Sequence, residues 1–145
     1  MHRGASIITH IYYGFDLKNM FVRLYPSGNL KDEKVVDLAF FINFLNPKGL
    51  DVEIRIMPKE RRVTATLFRG TNGARNQVAV INAVAANEII ELAIPFELLG
   101  VKENDDIQIF VTVERSGSEI EKWPYRGYIQ FKVPTDDFEA MMWQV

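Results

Sequence analysis

Apolar and polar residues alternate along most of this chain with a period of two. In VVDLAFFINF, Val36, Leu38, Phe40, Ile42 and Phe44 fall on one side. In DVEIRIM, Val52, Ile54 and Ile56 alternate with Glu53 and Arg55. In RVTATLFR, Val63, Ala65 and Leu67 alternate with Thr64 and Thr66. EIIELAI sets Ile90, Leu92 and Ile94 against Glu91. DIQIFVTVE sets Ile107, Ile109, Val111 and Val113 against Gln108, Thr112 and Glu114. Successive strand side chains point to opposite faces, so each segment predicts a strand with one apolar and one wet face. Antiparallel sheets buried on one side read this way, whereas parallel sheets read as unbroken apolar runs.

Turn residues separate these segments. Asp16–Asn19 (DLKN) joins HIYYGF to MFVRLY as a tight hairpin. YPSGN at Tyr25–Asn29 and NPKG at Asn46–Gly49 are Pro/Gly turns. RGTNGARN, Arg69–Asn76, is expected to be a longer polar loop. ENDD at Glu103–Asp106 and RSGSE at Arg115–Glu119 close further hairpins. Together they space roughly nine or ten short strands, as a sandwich or barrel requires. IPFELLG, Ile94–Gly100, starts near a proline and ends on a glycine, which predicts one helical turn near residues 95–99. Its Phe96, Leu98 and Leu99 would plug one end of the core. The tail PTDDFEAMMWQV reads two ways: Thr135 as a helix cap, or Phe138, Ala140 and Met142 as a last strand. The expected fold is all-β: a two-sheet antiparallel sandwich of immunoglobulin-like or jelly-roll type, one domain over residues 1–145.

Composition narrows the function classes. With 145 residues, 48% of them hydrophobic and 25% charged, the chain can bury a real core. Its net charge of −2 and lack of a basic run beyond KERR (Lys59–Arg62) make nucleic acid a poor partner. Having no cysteine, it has no disulfide, zinc–thiolate site or thiol nucleophile. No apolar run approaches the ~20 residues of a membrane span. MHRGASIITHIYY lacks a secretory pattern, so a cytoplasmic location is favoured. Strand-like sequence begins almost at once, as expected of a domain cut from the C-terminal part of a larger protein.

Catalytic chemistry is hard to assemble. The two histidines are His2 and His10. His10, in a predicted strand, would need a nucleophile and an orienting acid brought to it by the fold, and a strand histidine is the preferred reading. The carboxylates are scattered over alternating outer positions. Asp16, Asn19, Asp105 and Asp106 lie in turns, where oxygen ligands for calcium occur, but turn formation accounts for them without an ion. No metal or cofactor is implied, and the chain is not expected to be an enzyme.

SEIEKWPYRGYIQF, Ser118–Phe131, gathers Trp123, Tyr125, Arg126 and Tyr128 around one turn. In unbroken register Trp123 shares a polar face with Glu119 and Glu121, and the four residues could stack on and bond a sugar. A bulge at the turn would flip the phase and pack Trp123 inward, and this structural reading is preferred. Phe21, Tyr25, Phe68 and Phe110 also point outward. If Phe21 and Tyr25 were continuous with the Trp123 hairpin, the patch would suit another protein domain better than a soluble ligand.

Three stretches, HIYYGFDLKNMFVRLYP, ELAIPFELLGVKENDDIQIFVTV and EIEKWPYRGYIQFKVPTDDFEAMMW, carry a resemblance. They are similar to the C-terminal β-sandwich domain of glycoside hydrolase family 57 proteins, the α-amylase and amylopullulanase relatives. The second also resembles family 9 carbohydrate-binding modules and DOMON-like sandwiches. The resemblance implies a non-catalytic accessory domain of an α-glucan-acting glycoside hydrolase. An upstream catalytic domain of the same chain would be its partner, and α-glucan its candidate ligand. Family 9 modules grip sugar between tryptophans; here Trp123 and Trp143 are the tryptophans. The candidate carbohydrate-binding residues are Trp123, Tyr125, Arg126 and Tyr128. The alternative function is a domain-docking or self-association module with no small-molecule ligand.

Overall fold

The alternation becomes two stacked layers. The structure, a computed structural model, describes residues 6–136. His2 and the tail alternatives at Phe138, Ala140 and Met142 lie outside the described residues, as does Trp143. Eleven strands run in order: β1 (Ile8–Phe15), β2 (Asn19–Pro26), β3 (Leu38–Asn46), β4 (Leu50–Met57), β5 (Arg62–Thr71) and β6 (Ala74–Val80). There follow β7 (Val84–Ala86), β8 (Ile90–Pro95), β9 (Asp106–Arg115), β10 (Ser118–Trp123) and β11 (Ile129–Lys132). One sheet has four strands in the order β1-β2-β8-β7. The other has seven, β10-β9-β3-β4-β5-β6, with β11 pairing with β9 beyond the end of β10. Every pairing is antiparallel. This is the expected two-sheet all-β sandwich.

The core forms where the apolar faces meet. Met20, Val22, Leu24, Ile90, Leu92 and Ile94 come from the four-stranded sheet. Phe40, Ile42, Val52, Ile54, Leu67, Ile107, Ile109, Val111 and Val113 come from the other. Burying each such side chain contributes roughly 1.5–3 kcal/mol before entropy. The expected helical turn is α1 (Phe96–Leu99), with Pro95 as its N-cap and Gly100, at φ 69°, as its left-handed C-cap. Phe96 and Leu99 are buried and Leu98 packs against the core.

Two expectations are corrected. Val36 does not share the strand face. Asp32 accepts the Lys34 N–H and starts a 3-10 turn over Glu33–Asp37, which buries Val35 and leaves Val36 45% exposed; the strand begins at Leu38. RGTNGARN is not a longer loop. β5 runs through Thr71 and β6 begins at Ala74, joined by Asn72 (φ 51°) and Gly73 (φ 79°). Two consecutive left-handed residues match the twist of the flanking strands, which is why Asn-Gly makes a two-residue hairpin here.

Candidate ligand-binding face

The Trp123 hairpin is where the sequence places its candidates. β10 pairs with β9 as Glu119↔Glu114 and then Glu121↔Val113, so the register slips at Ile120. The bulge lies within the strand, ahead of the PYRG turn, and puts Glu121 and Trp123 on the core side, with Trp123 opposite Val111. The Trp123 indole N–H donates to Glu121 Oε2 at 2.9 Å. The same carboxylate accepts the backbone N–H groups of Ile7 and Ile8, each at 2.8 Å. Trp123 is therefore half-buried and plugs the flank of the core. Tyr125, Arg126 and Tyr128 stay exposed on the turn, with the Arg126 guanidinium 6.0 Å from the Tyr125 ring centroid.

His10 meets a hydroxyl but not a triad. Its Nδ1 lies 2.9 Å from Thr9 Oγ1, and that hydroxyl donates to the Tyr25 carbonyl at 3.2 Å. Among the described contacts no carboxylate orients the His10 ring, the third member that a triad needs. Among the described residues no group of three or more His, Asp or Glu side chains is placed to hold a metal. Asp16 accepts the Lys18 and Asn19 N–H groups, and Asp105 accepts that of Lys102. Asp106 pairs with Lys132 at 3.1 Å.

An open aromatic surface lies elsewhere, on the outer face of the four-stranded sheet. In β1 the residues Ile11 and Phe15 pack against the core, which turns His10, Tyr12 and Gly14 outward. In β2 Met20, Val22 and Leu24 are fully buried, which turns Phe21, Arg23 and Tyr25 outward. Strand pairing then sets Tyr12 beside Arg23, His10 beside Tyr25 and Gly14 beside Phe21. The Tyr12 and Tyr25 rings meet edge to face at 5.4 Å, and His10 stacks on Tyr12 at 6.5 Å. Arg23 crosses to Glu91 on β8 at 3.3 Å. A Cβ on Gly14 would meet nothing within 4 Å, so that position leaves space beside Phe21. Two depressions follow. One of about 580 Å³ is lined by His10, Tyr12, Phe21, Arg23 and Tyr25. The other, of about 420 Å³, is lined by Phe21, Arg23, Ala85, Glu91 and Ala93. Trp123 lines neither.

The outer face of the seven-stranded sheet carries rings too, but protein cations cover them. Arg75 lies 3.7 Å above the centroid of Phe68 and 5.6 Å from that of Phe41. It bonds both oxygens of Asp51 and, at 2.9 Å, Glu53 Oε1, while Arg55 Nε bonds Glu53 Oε2 at 2.8 Å. Lys122 lies 5.1 Å from the Phe110 centroid. Asn43 Nδ2 donates to the buried Thr112 hydroxyl at 2.9 Å. Partial burial raises the Glu53 pKa, but the bonds from Arg55 and Arg75 outweigh it and hold the carboxyl below its ordinary value. The Asp51 bond, with that of Glu53, raises the Arg75 pKa despite partial burial.

Phe21 and Tyr25 are legible in the sequence as outward aromatics. Tyr12, Arg23 and Glu91 are not, although the HIYYG and MFVRLY alternation holds the signal for the first two. No family model matches this chain, and neither does any curated protein sequence or solved structure.

Proposed function

We propose that this is a non-catalytic accessory domain of an α-glucan-acting glycoside hydrolase, and that it holds carbohydrate on the outer face of its four-stranded sheet. The glucan and the upstream catalytic domain rest on the sequence resemblance. The observation that carries the binding site is the open cluster of Tyr12, Phe21 and Tyr25 around the Arg23–Glu91 pair. A pyranose offers a C–H face to an aromatic plane and hydroxyls that both donate and accept, and Arg23 and Glu91 supply one of each role.

Maltooligosaccharide titration followed by NMR tests this. Shifts should concentrate on β1 and β2, and Tyr12→Ala combined with Phe21→Ala should weaken binding at least tenfold, about 1.4 kcal/mol. A wild-type domain unaffected by soluble and insoluble α-glucans would reject the reading. The docking alternative draws on Tyr125, 68% exposed, and Tyr128, 48% exposed, at the tip of the other sheet's hairpin. Loss of association with a catalytic domain in Tyr125→Ala, with glucan binding absent, would select it.

A further inference from the structure

We infer, resting on the carbohydrate reading above, that the ligand is a linear, uncharged chain lying across the strands rather than a single terminal sugar. The two depressions share Phe21 and Arg23 in their linings, so they adjoin across the strands and together reach from β1 to β7, and the ligand chain is taken to run through both. Four strands make three spacings of about 4.8 Å, or about 14 Å, room for on the order of three hexose rings at about one strand spacing each.

The ends of the trough differ. At the β1 end Tyr12 and Tyr25 stand up as ring surfaces. At the β7 end Ala85 and Ala93 form a low floor over which a chain can continue. The Arg23–Glu91 pair sits between them, with 58% and 47% of the side chains exposed, able to meet the hydroxyls of a central ring. Arg23 and Glu91 are the Arg, Lys, Asp or Glu side chains in the two linings, and their charges cancel. A polyanion such as a uronic acid polymer would gain no net attraction there.

The experiment is a calorimetric series from glucose to maltoheptaose on the whole domain, repeated with Ala85→Ile, which fills the floor without adding a ring for a sugar to stack on. Affinity should rise about tenfold or more from maltose to the longer chains and then level off. Ala85→Ile, at an exposed outward position, should bring maltoheptaose down towards the affinity of maltose. Glucan binding that does not depend on length, or long-chain binding that survives Ala85→Ile, overturns the extended-chain inference and leaves the aromatic site standing. Tighter binding of polygalacturonate than of the glucan overturns the neutral-ligand part. If no glucan of any length binds, the underlying site falls with it. A folded melting profile for Ala85→Ile separates a blocked trough from a broken domain.

Discussion

The two outer faces of this sandwich use the same ingredients and come to opposite ends. Each has aromatic rings, an arginine and a carboxylate. On the seven-stranded sheet Arg75 lies on Phe68 and is held there by Asp51 and Glu53, so the rings and charges satisfy one another. On the four-stranded sheet Arg23 meets Glu91 alongside the rings and covers none of them at cation–π range among the described contacts. Tyr12 is 58% exposed as a result. The lesson is that exposed aromatics point to a ligand only where the protein's own cations do not use them. Closure by Arg75 is stabilising; on the other face the rings meet one another and Tyr12 stays open to solvent.

The largest test of this contrast concerns a ring on neither face. Trp123→Ala removes a plug packed on the core and a partner of Glu121, and should cost roughly 2–3 kcal/mol in urea unfolding, below the range for fully buried aromatics. The folded fraction should still bind glucan as wild type does. Next is Arg75→Ala, which opens the closed face. Its side chain is 39% exposed, so solvent screening limits the loss to about 1–1.5 kcal/mol from the cation–π contact and ion pairs together. An unchanged urea midpoint would show that the two faces do not differ in the way described.

A smaller effect is set by pH. The Glu53 carboxyl is held below its ordinary value when folded, so on acidification the unfolded chain takes up the proton first. The stabilisation is present above the ordinary glutamate range and is lost as pH falls through the lowered folded value. Urea midpoints taken from about pH 6 to about pH 3 should therefore decline less steeply in Glu53→Gln than in wild type. The smallest change in stability is expected for Tyr12→Ala, about 0.5–1 kcal/mol, from its edge-to-face contact with Tyr25 and its stack with His10. A large loss of stability there would make the open face structural after all.

Strands whose outer sides are wet could be read directly, because alternation around Ile54 or Ile109 records which side is buried. β6 could not: Ala74–Val80 is an outer strand exposed on nearly all its residues, so ARNQVAV shows no buried face and its Asn-Gly turn reads as part of a loop. Trp123 turned on a bulge at Ile120, a backbone irregularity without a residue signature, although the preferred inward packing is the one found. The open trough was illegible for a different reason. Tyr12, Arg23 and Glu91 become neighbours only through the β1-β2-β8 order, and pairing between β2 and β8 is a choice the intervening residues do not announce.

The Glu121 carboxylate spans 113 and 114 positions of the chain to grip the amides of Ile8 and Ile7. Contacts of such sequence separation form late and slow folding. During synthesis, then, this clasp between the start of the smaller sheet and the larger one waits until the β10 segment has left the ribosome. Nascent chains stopped short of β10 would carry β1 held on the larger sheet by its apolar contacts, without that clasp.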